Sequence, residues 1–115
     1  MLIYICGDTM ARINTNIDML ILSILNKKDC YGYELVKLIK EISNNYLDIK
    51  EGTLYPIIYN LLNKNYISSY NIANKNRIRV YYKIEESGKD YLVQCREQYK
   101  KTNTGIMNII NYGED

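Results

Sequence analysis

The apolar residues of this chain change their period, and that change constrains the fold more than any other feature. From Ile17 to Leu62 they recur at helical spacing, from Tyr66 to Ile84 they alternate, and after Ser87-Gly88 the helical spacing returns. Ile17, Leu20, Ile21, Ile24 and Leu25 make one stripe, which predicts an amphipathic helix opened by Thr15-Asn-Ile-Asp18 and closed by Asn26-Lys-Lys-Asp29. Leu35, Leu38, Ile39 and Ile42 repeat the spacing in a second helix that starts between Asp29 and Gly32 and ends at Ser43-Asn-Asn45. After an extended link, Tyr46 to Ile49, the stripe Leu54, Ile57, Ile58, Leu61 and Leu62 predicts a third. Pro56 requires this helix to begin close to Glu51, so that the missing N–H falls near the first turn. Asn65 marks its end.

Period two then takes over. Tyr66 to Ile72 is one strand; Ile78, Val80, Tyr82 and Ile84 alternate with Arg77, Arg79, Tyr81 and Lys83 in another, with Ala73-Asn-Lys-Asn76 as the turn. The expected product is a β-hairpin with one apolar and one basic face. Beyond it, Leu92, Cys95, Tyr99, Thr102, Ile106 and Ile109 alternate steps of three and four, a heptad-like seam on a long final helix. Thr102 and Gly105 weaken that seam, and Asn111-Tyr-Gly113 is its stop. Three helices, a hairpin and a long helix are the winged helix-turn-helix order, a mainly α, α+β fold. The third helix would enter the major groove of DNA and the hairpin, the wing, would lie on flanking DNA. The expected division is an N-terminal extension over residues 1–9, a DNA-binding domain over 10–86 and a dimerisation helix over 87–115. Met10 is a second plausible start.

The net charge of +2 on 115 residues says little until it is divided. Residues 1–51 carry six bases and seven acids, 52–84 carry five bases and no acid, and 85–115 carry four bases and six acids. The excess charge sits wholly on the third helix and the hairpin, as a surface that approaches phosphates requires. Other chemistries drop out. The chain has no His, which removes His-based triads and His metal ligands. Cys6, Cys30 and Cys95 have neither metal nor redox spacing, and their odd number fits a reducing cytoplasm. No apolar run approaches the roughly 20 residues of a membrane helix, and Met1 to Cys6 lacks the basic flank of a signal peptide. There is no phosphate loop, nucleophile elbow or paired carboxylate, so neither an enzyme nor a cofactor is expected. The chain is rich in Ile, Asn, Tyr and Lys, so single residues of these types carry little weight.

Three segments, in this order and separation, are specific. Tyr31-Gly-Tyr-Glu-Leu35 opens the second helix, Gly52-Thr-Leu-Tyr-Pro56 opens the third, and Tyr81-Tyr-Lys-Ile84 leads to Ser87-Gly88. With them the stretch from Asn14 to Leu92 closely resembles the PadR family of bacterial transcriptional repressors, and the single last helix resembles its small subgroup. The resemblance implies a two-fold homodimer, formed through the last helix, that binds double-stranded DNA at inverted-repeat operators. It also implies an alternative, a sensor whose small organic ligand or drug binds at the dimer interface and releases DNA. Three departures stand out: Lys50-Glu51 replaces the family's frequent Ser-Pro before Gly-Thr-Leu-Tyr, Glu85 stands where the family often has Thr before the last helix, and no Trp is available for an aromatic sandwich around a ligand.

The residues expected at DNA are Lys50, Thr53, Tyr55, Tyr59, Asn60, Lys64, Lys75, Arg77 and Arg79. Lys50, Lys64, Lys75, Arg77 and Arg79 suit phosphate or minor-groove contacts, whereas Tyr59 and Asn60 suit base edges. Thr53 either touches DNA or caps its helix, and Tyr55 either touches DNA or packs under the hairpin. Leu92, Cys95, Tyr99, Ile106 and Ile109 are expected to bury against a partner chain and against the first helix.

Overall fold

A computed structural model describes residues 9–114, with side-chain surroundings from Asn16 onward. The elements are α1 (Thr9–Leu25), β1 (Cys30–Tyr31), α2 (Gly32–Ile42), α3 (Glu51–Asn63), β2 (Ile67–Asn74), β3 (Arg77–Ile84) and α4 (Glu86–Ile110). The three helical stripes converge on one core: Ile17, Ile21, Leu22 and Leu25 of α1, Leu35 and Ile39 of α2, and Leu54, Ile57, Ile58 and Leu61 of α3. Ile67, Tyr82 and Ile84 close it from the sheet, and Leu92 of α4 plugs its end. The architecture is the α+β winged helix expected from the order of periods.

Several details differ from the local reading. Helix α1 begins at Thr9, six residues before the cap signal at Thr15; Met10, Ala11 and Arg12 are good helix formers and extend it upstream. The remainder of the expected extension, residues 1–8 with Cys6, lies outside the described residues. The hairpin is part of a three-stranded antiparallel sheet of order β1-β3-β2, because Cys30 and Tyr31 pair with Tyr82 and Tyr81. A two-residue strand is too short to show a period. The hairpin turn is tighter than the four residues expected, since Asn74 still pairs with Arg77. Lys75 closes it with φ of +57°, the left-handed backbone that matches the twist of the strands. The apolar face is buried only at its base. Ile78 and Val80 are exposed because the wing runs past the helices. Pro56 is the sixth residue of α3, beyond the first turn. The carbonyl it leaves without a partner is that of Gly52, which is exposed and open to water.

Helix ends follow turn chemistry. Asn65, at φ +62°, ends α3 with two reversed hydrogen bonds, from the Tyr66 amide to Leu61 O (3.1 Å) and from its own amide to Leu62 O (3.0 Å). That turn delivers the Tyr66 carbonyl to the start of α4, where it accepts from the Glu85 amide at 2.9 Å. Gly88 lies directly beneath it. A Cβ at position 88 would collide with the Tyr66 carbonyl oxygen and stand 3.0 Å from Ile84 Cγ1. Gly88→Ala is therefore expected to destabilise the fold by about 1–3 kcal/mol, since backbone cannot step aside as a side chain can. Thermal unfolding should fall about 4 °C for each kcal/mol; a variant melting with the parent would show that α4 can tilt away.

Among the described residues, it is the first part of α4 that packs on the domain. Tyr91 stacks on Tyr66 (centroids 4.5 Å apart, 12° between planes), whereas Ile106, Met107, Ile109 and Ile110 are exposed. The molecule is 61 Å long and 29 by 27 Å across, and its radius of gyration of 16.0 Å exceeds the value for a compact chain of this length, about 13 Å.

Candidate nucleic-acid interface

Helix α3 buries Leu54, Ile57, Ile58 and Leu61, so its opposite face is fixed. Thr53, Tyr59, Asn60, Asn63 and Lys64 are exposed there. Tyr55 is not on that face: it is half-buried and packs against the core, its ring 6.3 Å from that of Tyr59. Burial, with smaller effects from Glu51 and Tyr59, pushes its hydroxyl pKa up. The hydroxyl end of the ring lies over Gly32, where any Cβ would collide with it. Two of the three specific segments thus meet through one large and one absent side chain. Spacing could not reveal this, since the two residues belong to different helices.

The N-terminus of α3 receives no side-chain cap. Lys50, the residue before it, has extended backbone and places its Nζ 2.9 Å from Asp48 Oδ2. Asp48 also lies 3.9 Å from Lys40 Nζ, and these cations hold its carboxyl below the ordinary range, the Lys50 hydrogen bond contributing most. Lys50 is thus at the edge of the α3 surface but already has a counter-ion.

The wing presents Lys75 at its tip and Arg77, Arg79 and Lys83 along one face of β3. Lys75, Arg77 and Lys83 are exposed; Arg79 is half-buried, its guanidinium carbon 4.4 Å from the centroid of the Tyr31 ring. Among the described residues, Lys28, Lys40, Lys50 and Lys89 pair with Glu34, Asp48 or Glu86. Lys64, Lys75, Arg77, Arg79 and Lys83, the bases of the acid-free stretch, are not among the paired ones, and neither are Lys27, Lys37, Arg96, Lys100 and Lys101.

The seam residues separate in a different way. Leu92 is buried in its own chain's core. Cys95 is half-buried beside Tyr91, and burial raises its thiol pKa. Tyr99 lines an apolar hollow of about 400 Å³ with Asn16, Ile17, Met19, Leu20, Leu47 and Ile49. Ile106 and Ile109 face solvent. Cys30 is fully buried, its thiol pushed up to about 11 mainly by burial, which makes it a poor nucleophile. Among the described residues, no helix is long and apolar enough to cross a membrane.

The PadR-like family of transcriptional regulators matches residues 21–94, from within α1 to the first turns of α4. This chain belongs to the PadR-like family. The match includes the Gly32–Tyr55 contact, the whole wing and Gly88, and it places the chain among transcriptional regulators rather than enzymes. A PadR family transcription regulator from hypervirulent Clostridium difficile is 38% identical and superposes with a TM-score of 0.67 over 82% of this chain and 96% of its own. A transcriptional regulator from Clostridium thermocellum is 34% identical, with a TM-score of 0.77 over 90% of this chain and 97% of that one. Bacillus subtilis PadR, in a crystal structure with operator DNA, shares the fold at 22% identity and a TM-score of 0.64, over 69% of this chain and 45% of the larger protein.

Proposed function

We propose that this PadR-like regulator is a cytoplasmic repressor that binds double-stranded DNA sequence-specifically. Two copies joined through α4 would address an inverted repeat, each laying α3 in a major groove and its wing on flanking DNA. The observation that carries this reading is the clustering of the bases: Lys64, Lys75, Arg77, Arg79 and Lys83 share the acid-free stretch that runs from α3 through the wing, and among the described residues none of them forms an ion pair. Five cations on one continuous, acid-free part of a chain of net charge +2 make a surface suited to an external polyanion. The operator complex of Bacillus subtilis PadR, which has the same fold, supports the choice of DNA. The exposed apolar end of α4 supports the dimer, because a lone helix would leave that surface in water. The test is a binding titration against the DNA upstream of the protein's own gene and a duplex of scrambled sequence. Tight, nanomolar-scale binding of the first, one dimer per site, weakening steeply with salt, is expected. Equal affinity for both at every salt concentration would sink sequence-specific regulation.

The hollow beside Tyr99 favours a second reading, in which a small organic ligand seated there releases DNA. Its volume of about 400 Å³ is that of a ligand pocket, and its lining is apolar with Asn16 and Tyr99 as polar anchors. Planar aromatic compounds should then quench Tyr fluorescence, raise the melting temperature and weaken DNA binding; compounds that do none of these remove the reading.

A further inference from the structure

We infer that Tyr31 is a positioning residue for the DNA interface: its ring is a platform that holds Arg79 extended and ready for a phosphate. The inference rests on the DNA-binding reading above.

The platform is fastened on several sides. Tyr31 is half of the two-residue strand β1 and lies directly across from Tyr81 of β3. Its ring meets Tyr81 edge-on (5.4 Å, 67°), and Tyr81 stacks in turn on Tyr70 of β2 (5.8 Å, 18°). The Tyr70 hydroxyl donates to Asp29 Oδ2 at 2.6 Å, two residues before Tyr31. Contacts and backbone thus form a closed circuit, Asp29 to Tyr31, Tyr81, Tyr70 and back to Asp29, which prevents the Tyr31 ring from turning away. Arg79 precedes Tyr81 by two residues, so it projects from the same face of β3. Its guanidinium lies over the ring at 4.4 Å.

The chemistry of this contact differs from that of an ion pair. A carboxylate would occupy the N–H donors of the guanidinium and cancel its charge. An aromatic ring engages the flat face, leaving the charge whole and the in-plane donors outward, the arrangement a bidentate phosphate contact needs. Among the described residues no acid pairs with Arg79. A free arginine on a β-ribbon samples many rotamers and loses that freedom on binding; here the contact with the ring restricts it beforehand. The positioning role therefore falls on a motif tyrosine at the entrance of α2, remote in sequence from the wing it serves.

A double-mutant cycle on Tyr31 and Arg79 tests this, using a duplex that the unaltered protein enriches from a random-sequence pool. Tyr31→Phe keeps the ring and should bind within about twofold of the parent, while Tyr31→Leu should bind roughly three- to fivefold more weakly for each wing, the range of an exposed cation–π contact. Arg79→Gln should lower the salt slope by about one per wing. In that background Tyr31→Leu should cost nothing further, which a merely structural role could not produce. Equal losses in both backgrounds, or a Phe variant as weak as the Leu variant, overturn the proposal while leaving DNA binding intact. A parent protein that enriches no sequence overturns both. Should Tyr31→Leu not fold, the NMR shifts of the Arg79 side chain decide: ring-current upfield shifts of its δ-protons in the free protein are expected, and ordinary random-coil shifts overturn the platform.

Discussion

Replacing Lys75 with Asn and both Arg77 and Arg79 with Gln is expected to flatten the salt dependence of DNA binding and remove most of the affinity. Each phosphate contact contributes about 0.9 to the slope of log affinity against log salt, so three lost contacts lower it by about 2.7 per wing. At physiological salt the same counterion release is worth about 1 kcal/mol per contact, so binding should fall roughly a hundredfold for each wing. Asn is the appropriate choice at position 75 because the backbone there has φ of +57°, which Asn tolerates better than most residues. The variant then tests charge rather than turn geometry. Lys89→Gln is the control: Lys89 already pairs with Glu86 at 3.2 Å, and removing it should leave the slope unchanged. A triple variant with the parent's slope would exclude the wing from the interface.

Asp18→Asn is expected to stabilise the protein at neutral pH by about 1–3 kcal/mol. Asp18 is buried, 6% exposed, between α1 and α4. The Tyr91 hydroxyl donates to it at 3.4 Å, and Lys64 is the charge that helps it. Cys95 and Tyr66 belong to the same cluster around Tyr91. Burial outweighs these partners and pushes the carboxyl up to about 6, from 3.8. Between those values the folded state holds a proton that the unfolded state has released. This group's contribution to stability is therefore fully favourable at low pH, declines as pH rises from about 4 to 6, and stays low above. Two pKa units correspond to about 3 kcal/mol, the upper limit of the gain, since a buried Asn must also satisfy its amide. Chemical unfolding of parent and variant at one protein concentration should show a difference that is small at pH 4 and largest above pH 7. A difference independent of pH would show that Asp18 is ionised at no cost.

Much of the fold was legible because its signals are local. The stripes of α1, α2 and α3 repeat every three to four residues, and the burial of Ile21, Leu35 and Ile58 follows from that period alone. The alternation of β3 put Arg77, Arg79 and Lys83 on one face without any knowledge of its neighbours. The end of α3 was visible in Asn65, whose short polar side chain accepts the left-handed backbone a helix stop requires. The candidate site was less legible. Thr53, Tyr59, Asn60 and Lys64 lie on the exposed face that the apolar stripe dictates, whereas Tyr55, read from the same helix, turns inward. A helical wheel cannot settle a residue at the boundary of its stripe; the space left by Gly32 does.

By itself the sequence determined the kinds and order of the elements, the family through three short segments, and the segregation of charge onto residues 52–84. Each depends on residues close in the chain, where periodicity, turn chemistry and counting suffice. Only the tertiary structure decided which side chains meet across elements: Tyr55 with Gly32, Gly88 with the Tyr66 carbonyl, Asp18 with Tyr91, and Arg79 with Tyr31. The physical reason is distance along the chain. Each of these contacts joins residues more than twenty positions apart, and forms only when packing has brought their elements together. The charge that set the wing apart was countable in the sequence. That its arginine at position 79 lies on a tyrosine instead of a carboxylate was not.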